Sequence, residues 1–74
     1  MDYSDKGFIQ LGKNIAKVRK AKKFSQHELA DILDISREHL AKVETAKRGL
    51  SIHLFLRICD VLEVPPKHFF DFKD

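Results

Sequence analysis

In this chain of 74 residues, the side chains best placed to act together are Arg37, Glu38, Ala41 and Lys42. At about 100° per residue they fall on one arc of a helix that begins after Ser36. The opposite arc holds Leu40, Val43 and Glu44. One face of such a helix can pack inward while the other presents a cation, a carboxylate, a methyl group and a second cation. A guanidinium can bond guanine O6 and N7 together, a carboxylate can accept from cytosine N4, and a helix fits the major groove. The plainer alternative is a solvated, charged helix face. Other chemistries lack their residues. His27, His39, His53 and His68 are separated by twelve, fourteen and fifteen positions, and there is one cysteine. That spacing contains no short ligand pair, so no metal is expected. No nucleophile–base–orienter set is present, and short helices leave little room for a pocket; neither an enzyme nor a cofactor is expected.

The elements that must carry this arc are legible around it. Ser25 is followed three positions later by Glu28, the pattern of a capping box, and Leu29, Ala30 and Leu33 then recur at helical spacing. Asp34 and Ile35 interrupt the pattern, and Ser36 offers a second N-cap. Upstream, Phe8, Leu11, Ile15 and Val18 predict a first helix of about fifteen residues that ends near Lys22. Arg19, Lys20, Lys22 and Lys23 cluster at its end, where cations suit the helix dipole; contact with phosphate is the second reading for Lys22 and Lys23. Downstream, Ser51 is expected to cap a fourth helix whose inner face is Ile52, Phe55, Ile58, Cys59 and Leu62. Pro65 forces Val64 to be extended and stops that helix. Pro66 suits the first position of a short fifth helix containing Phe69 and Phe70. Leu54, Val61, Phe70 and Phe72 exceed what one small core needs, which predicts a self-association surface. The alternative is that they enlarge the core of the single chain.

Composition sets the outer bounds. A chain of this length is one small domain that buries only about 60% of its unfolded surface. Residues 1–7 read as a polar N-terminal tail and 8–74 as the domain. The net charge is +3, but the stretch from Lys13 to Arg48 holds ten Lys/Arg against five Asp/Glu. The positive excess therefore sits on the central helices, an arrangement suited to a polyanion. No bare Trp/Phe/Leu helix face accompanies it, so membrane binding is not expected, and no run is long enough for a membrane span. There is no signal-peptide pattern. The lone Cys59 excludes an internal disulfide and is expected to be a buried apolar residue, consistent with a reducing cytoplasm.

From Leu11 to Phe70 the chain resembles a phage-repressor-type (Cro-like, Xre) helix-turn-helix domain. The resemblance rests on Ser25-Gln26 with Glu28-Leu29-Ala30, Ile35-Ser36-Arg37 and Val43-Glu44, and on Ser51, Ile58, Leu62, Val64 and Phe69-Phe70. The ending RICDVLEVPPKHFF is similar to that of the small controller proteins of restriction-modification systems. The resemblance implies an all-α, five-helix fold and a sequence-specific regulator that binds a palindromic operator in double-stranded DNA as a homodimer. RNA polymerase is a further partner it allows. Base-reading positions fall on Arg37, Glu38 and Lys42. Gln26, Ser36, His39, Thr45, Lys47 and Arg48 fall at or near phosphate. Arg19 and Glu44 match a structural ion pair. The chain departs from the family at Asp34 and Ala46, where glycine is usual, and at Leu50, where proline is frequent. Gly49 is then the only flexible point of the loop 45–50. The alternative function is a protein-interaction or antitoxin module of the same fold, with DNA binding secondary.

Overall fold

Four helices and one short turn of 3-10 helix follow one another in the computed structural model, which describes residues 5–71: α1 (Lys6–Ala21), α2 (Gln26–Leu33), α3 (Arg37–Glu44), α4 (Ile52–Leu62) and the 3-10 helix Pro66–Phe70. The fifth helix expected from sequence is thus a 3-10 turn. Five residues between an extended Pro65 and Asp71 cannot nucleate an α-helix, and 3-10 geometry serves for so short a piece. The first helix begins at Lys6, so positions 6 and 7 belong to it rather than to the tail. Phe72 lies outside the described residues. Among the described residues, no helix is long and apolar enough to cross a membrane.

Three of the four N-termini are closed by serine. Ser25 Oγ accepts from Glu28 N–H (3.0 Å) and Ser25 N–H donates to Glu28 Oε1 (2.9 Å), a complete capping box. Those bonds hold the Glu28 carboxyl below the usual glutamate range, because both favour the ionised form. Ser36 Oγ accepts from His39 N–H (2.9 Å) and Ser51 Oγ from Leu54 N–H (3.0 Å). Each satisfies one of the orphan N–H donors of a helix start.

All four C-termini use one device. A left-handed residue follows the last turn, and the next N–H reaches back to the carbonyl five residues earlier, the Schellman arrangement. The left-handed residues are Lys23, Asp34, Ala46 and Glu63, with φ of 67°, 59°, 59° and 57°. The closing bonds are Phe24 to Arg19 (3.1 Å), Ile35 to Ala30 (3.0 Å), Lys47 to Lys42 (2.8 Å) and Val64 to Cys59 (3.1 Å). No described glycine has positive φ. Asp34 adopts the left-handed conformation expected of it, but the loop 45–50 corrects the sequence reading. The left-handed conformation falls on Ala46 instead of Gly49. Alanine has no side-chain oxygen to compensate there, whereas aspartate tolerates the region. Ala46→Gly is therefore expected to raise stability by about 0.5–1 kcal/mol, and Asp34→Gly by only a few tenths of that scale. Thermal midpoints of the two variants check the order; an Asp34→Gly gain larger than that of Ala46→Gly would contradict it.

The core is one cluster. Ile15 from α1, Leu29 and Leu33 from α2, Leu40 from α3, Ile58 and Leu62 from α4, and Phe69 are almost wholly removed from solvent. Helix α3 packs against α2 and α1, α2 packs against α4, and α1 carries the 3-10 turn. Asn14 Nδ2 fixes that turn by donating to Phe69 C=O (2.8 Å), and Gln10 Nε2 donates to Asn14 Oδ1 (2.9 Å). Phe55 meets Phe69 and Phe70 edge-on, at centroid distances of 5.6 and 5.5 Å. The inner face of α4 differs from expectation by one residue. Leu54 is 8% exposed and joins the core, whereas Ile52 is 73% exposed. Leu54 stands one turn before Ile58 on the buried column; Ile52, at the first helical position, has no facing element. Cys59 is buried, and burial pushes its thiol pKa up, disfavouring the thiolate.

Candidate nucleic-acid interface

Helix α3 presents the two arcs that its sequence dictates. Leu40, Val43 and Glu44 are buried; Arg37, Glu38 and Lys42 are exposed, with Ala41 half-buried between them. Lys42 Nζ lies 3.1 Å from Glu38 Oε1, one helical turn away. The Glu38 side chain is 77% exposed, so this pair contributes only a few tenths of a kcal/mol. Arg37 has no ion-pair partner among the described residues, and its guanidinium remains available to a ligand.

The inner end of α3 is fixed by one carboxylate. Arg19 Nε donates to Glu44 Oε2 at 2.7 Å and Nη2 to Oε1 at 3.1 Å, while Nη1 donates to Phe24 C=O at 2.8 Å. Gln26 Nε2 adds a bond to Glu44 Oε1 at 2.9 Å. A carboxylate only accepts, which fixes the amide with its nitrogen inward. The ends of α1 and α3 and the start of α2 therefore meet at Glu44. Both ion-pair side chains are below a tenth exposed, and no buried side-chain polar atom lacks a partner among the described residues. A buried pair holds only when its remaining donors are satisfied, as they are here. Gln26, expected at phosphate, thus keeps one amide N–H for this brace and has one left for an outside ligand.

Gly12 was not singled out by the sequence reading, although it is central to this arrangement. A Cβ at Gly12 would lie 2.6 Å from the Glu44 carbonyl oxygen and 2.8 Å from that of Val43. The backbone of α1 touches the end of α3 there, and only glycine permits it. The available signal was a glycine inside an otherwise regular helical pattern. Arg57 was missed as well: its Nη1 donates to Leu33 C=O at 2.8 Å, from α4 to the end of α2. Nothing local in the sequence pairs those two positions.

The remaining residues expected at phosphate lie on α3, in the loop after it and at the end of α1. Ser36 Oγ accepts from the helix, so its hydroxyl proton is still available to an anion. The Thr45 hydroxyl donates to Ala41 C=O (2.8 Å), so contact with phosphate would require that bond to be exchanged. His39 is half-buried; desolvation and then the nearby Arg48 charge lower its pKa, which favours the neutral imidazole. Lys22, Lys23, Lys47 and Arg48 are exposed. Lys47 is the exception among the four helix ends. The equivalent positions after α1, α2 and α4 are Phe24, Ile35 and Val64, which pack on the core. After α3 that position is an exposed lysine, so the loop leaves the core with its cations outward. Among the described residues no group of three or more His, Cys, Asp or Glu could hold a metal ion.

Comparison with known proteins agrees with this architecture. A family model described as helix-turn-helix matches residues 15–69. An uncharacterised HTH-type transcriptional regulator of Rickettsia conorii is 31% identical over 61 residues, which is 82% of this chain and 49% of that protein. The chain thus spans about half the length of the curated relative it matches. The crystal structure of the restriction-modification controller protein C.AhdI from Aeromonas hydrophila superposes with a TM-score of 0.82 and 26% identity, over 88% of this chain and 98% of that one. With two helices joined by the turn at Asp34, and a family model that matches most of its length, the chain belongs to the helix-turn-helix family of DNA-binding transcriptional regulators, in its phage-repressor-like (Xre-like) form.

Proposed function

We propose that the chain binds a roughly palindromic operator as a homodimer and regulates transcription from it. Each protomer seats α3 in a major groove, and a two-fold axis places the two helices about 34 Å apart. The observation that carries this reading is the division of α3 between a cationic outer arc and a rigidly braced inner arc. Arg37, Glu38 and Lys42 read bases, while Ser36, His39, Lys47, Arg48, Lys22 and Lys23, with Gln26 and Thr45 secondarily, lie on the phosphates. The exposed apolar side chains near the end of the chain supply the dimer face. These are Ile52, Leu56 and Phe70; Val61, assigned to that face on sequence, is half-buried and packs against the core. Leu54, assigned to that face on sequence, belongs instead to the core of the single chain. The likeness to C.AhdI supports a controller of the restriction-modification kind, acting on DNA in the cytoplasm of a bacterium.

Arg37→Ala is expected to weaken binding to the preferred operator by about 1–3 kcal/mol while binding to random duplex changes little. Titration of both duplexes, the operator having been selected from a random pool, provides the check. Equal losses on the two would reduce Arg37 to a phosphate ligand. The affinity should also fall steeply with salt, since several Lys and Arg displace counterions. A flat salt dependence would favour a protein-interaction module instead.

A further inference from the structure

Helix α2 ends without a cation of its own: its last turn contains no basic residue. Its final carbonyls are shared out among unlike partners. Ala30 C=O accepts from Ile35 N–H (3.0 Å) and Asp31 C=O from Asp34 N–H (3.1 Å), both within the turn. Leu33 C=O accepts from Arg57 Nη1 at 2.8 Å, across from α4. The guanidinium thus supplies, through the tertiary fold, the positive charge and donor that a helix C-terminus favours. Immediately beyond Leu33 stand Asp34 in the left-handed region and Ser36 capping α3. Those residues fix the direction in which α3 leaves α2. Arg57 is half-buried, and the residue before it, Leu56, is exposed one turn after exposed Ile52. One short segment of α4 therefore borders both the apolar face and the turn that aims the recognition helix.

We propose that Arg57 is a positioning residue that fixes the separation and tilt of the two recognition helices in the dimer, and so the half-site spacing that the protein accepts. The inference rests on the dimeric reading given above, in which Ile52 and Leu56 meet the partner copy. The bond from Arg57 to Leu33 makes α4 and the α2–α3 turn move as one body. Without it, α4 and the apolar face it carries can pivot against α2 and α3, which remain braced on α1 through Glu44. A pivot leaves the contacts of one α3 with one half-site intact and changes only how two half-sites are bridged. A fixed dimer discriminates spacing because one added base pair both shifts and rotates the second half-site.

The test uses the full chain, a selected operator, and versions of it with the centre lengthened or shortened by one and two base pairs. The wild type is expected to lose about tenfold or more in affinity for each base pair of altered spacing. Arg57→Met keeps the apolar stem and removes the donor; its dependence on spacing should flatten to about threefold or less, with the affinity for a single half-site unchanged. Arg57→Lys retains charge and one donor, and should fall between the two. It also serves as the working variant if the methionine form proves unfolded by circular dichroism. A wild-type spacing profile in both variants, with affinity lowered uniformly, would overturn the proposal and leave the bond a purely stabilising one. A wild type that is itself indifferent to spacing would overturn the dimeric reading, and this inference with it.

Discussion

Glu44→Ala is expected to lower the unfolding free energy by about 3–5 kcal/mol, the usual loss when one partner of a buried pair is removed. The substitution deletes both acceptors of the Arg19 fork and the acceptor of Gln26, and leaves a guanidinium in a buried site with only Phe24 C=O beside it. A domain of this length has roughly 4–11 kcal/mol of stability in all. The variant should therefore be close to unfolded at 37 °C, and a urea titration will show it. Removing both charges, as Arg19→Met with Glu44→Met, is expected to recover most of the loss, since the desolvated cation is gone and similar volume remains. A single-variant loss below about 1 kcal/mol would mean that the pair behaves as a solvated surface bridge. Recovery of stability by the double variant without recovery of operator affinity would show that the brace also sets the attitude of α3.

Gly12→Ala should be the next most damaging change. Helix propensity alone favours alanine by about 1 kcal/mol. Against that stands a Cβ placed 2.6 and 2.8 Å from two backbone carbonyl oxygens. These atoms cannot rotate aside as a side chain can, so α1 and α3 must separate, and overpacking of this kind costs about 1–3 kcal/mol or more. The steric term wins. The expected net loss is about 2 kcal/mol, with a thermal midpoint lower by about 10 °C. Gly49→Ala is the control. It meets nothing within 4 Å and its φ is not positive, so a change within about 0.5 kcal/mol is expected. Equal effects at the two glycines would mean that α1 does not approach the end of α3 so closely in solution.

These two positions mark how far local sequence carried the reading. The serine caps at 25, 36 and 51 were legible because a cap depends on residues three apart in the chain. The outer arc of α3 was legible because helical periodicity is a property of neighbours. The brace was visible only through resemblance to relatives, since Arg19 and Glu44 are twenty-five positions apart. Gly12 showed only as a glycine inside a helical pattern and Arg57 not at all, because their partners are backbone carbonyls of distant helices and carry no side-chain signature. Ile52 and Leu54 were exchanged because the apolar residues of α4 occupy more than one face, so periodicity could not decide which side turned inward.

The four α-helices, their serine caps and the cationic face of α3 were written in the order of the residues, because each depends on interactions within a turn or two of chain; the last expected helix proved to be a 3-10 turn. Where α3 points was settled by tertiary structure: by the close approach at Gly12 and the carboxylate shared by Arg19 and Gln26. So was the placement of the left-handed residue at Ala46 rather than Gly49. Glycine permits such a conformation but does not require it. The closure of α3 fixes where the left-handed residue must fall, and the alanine at that point adopts it.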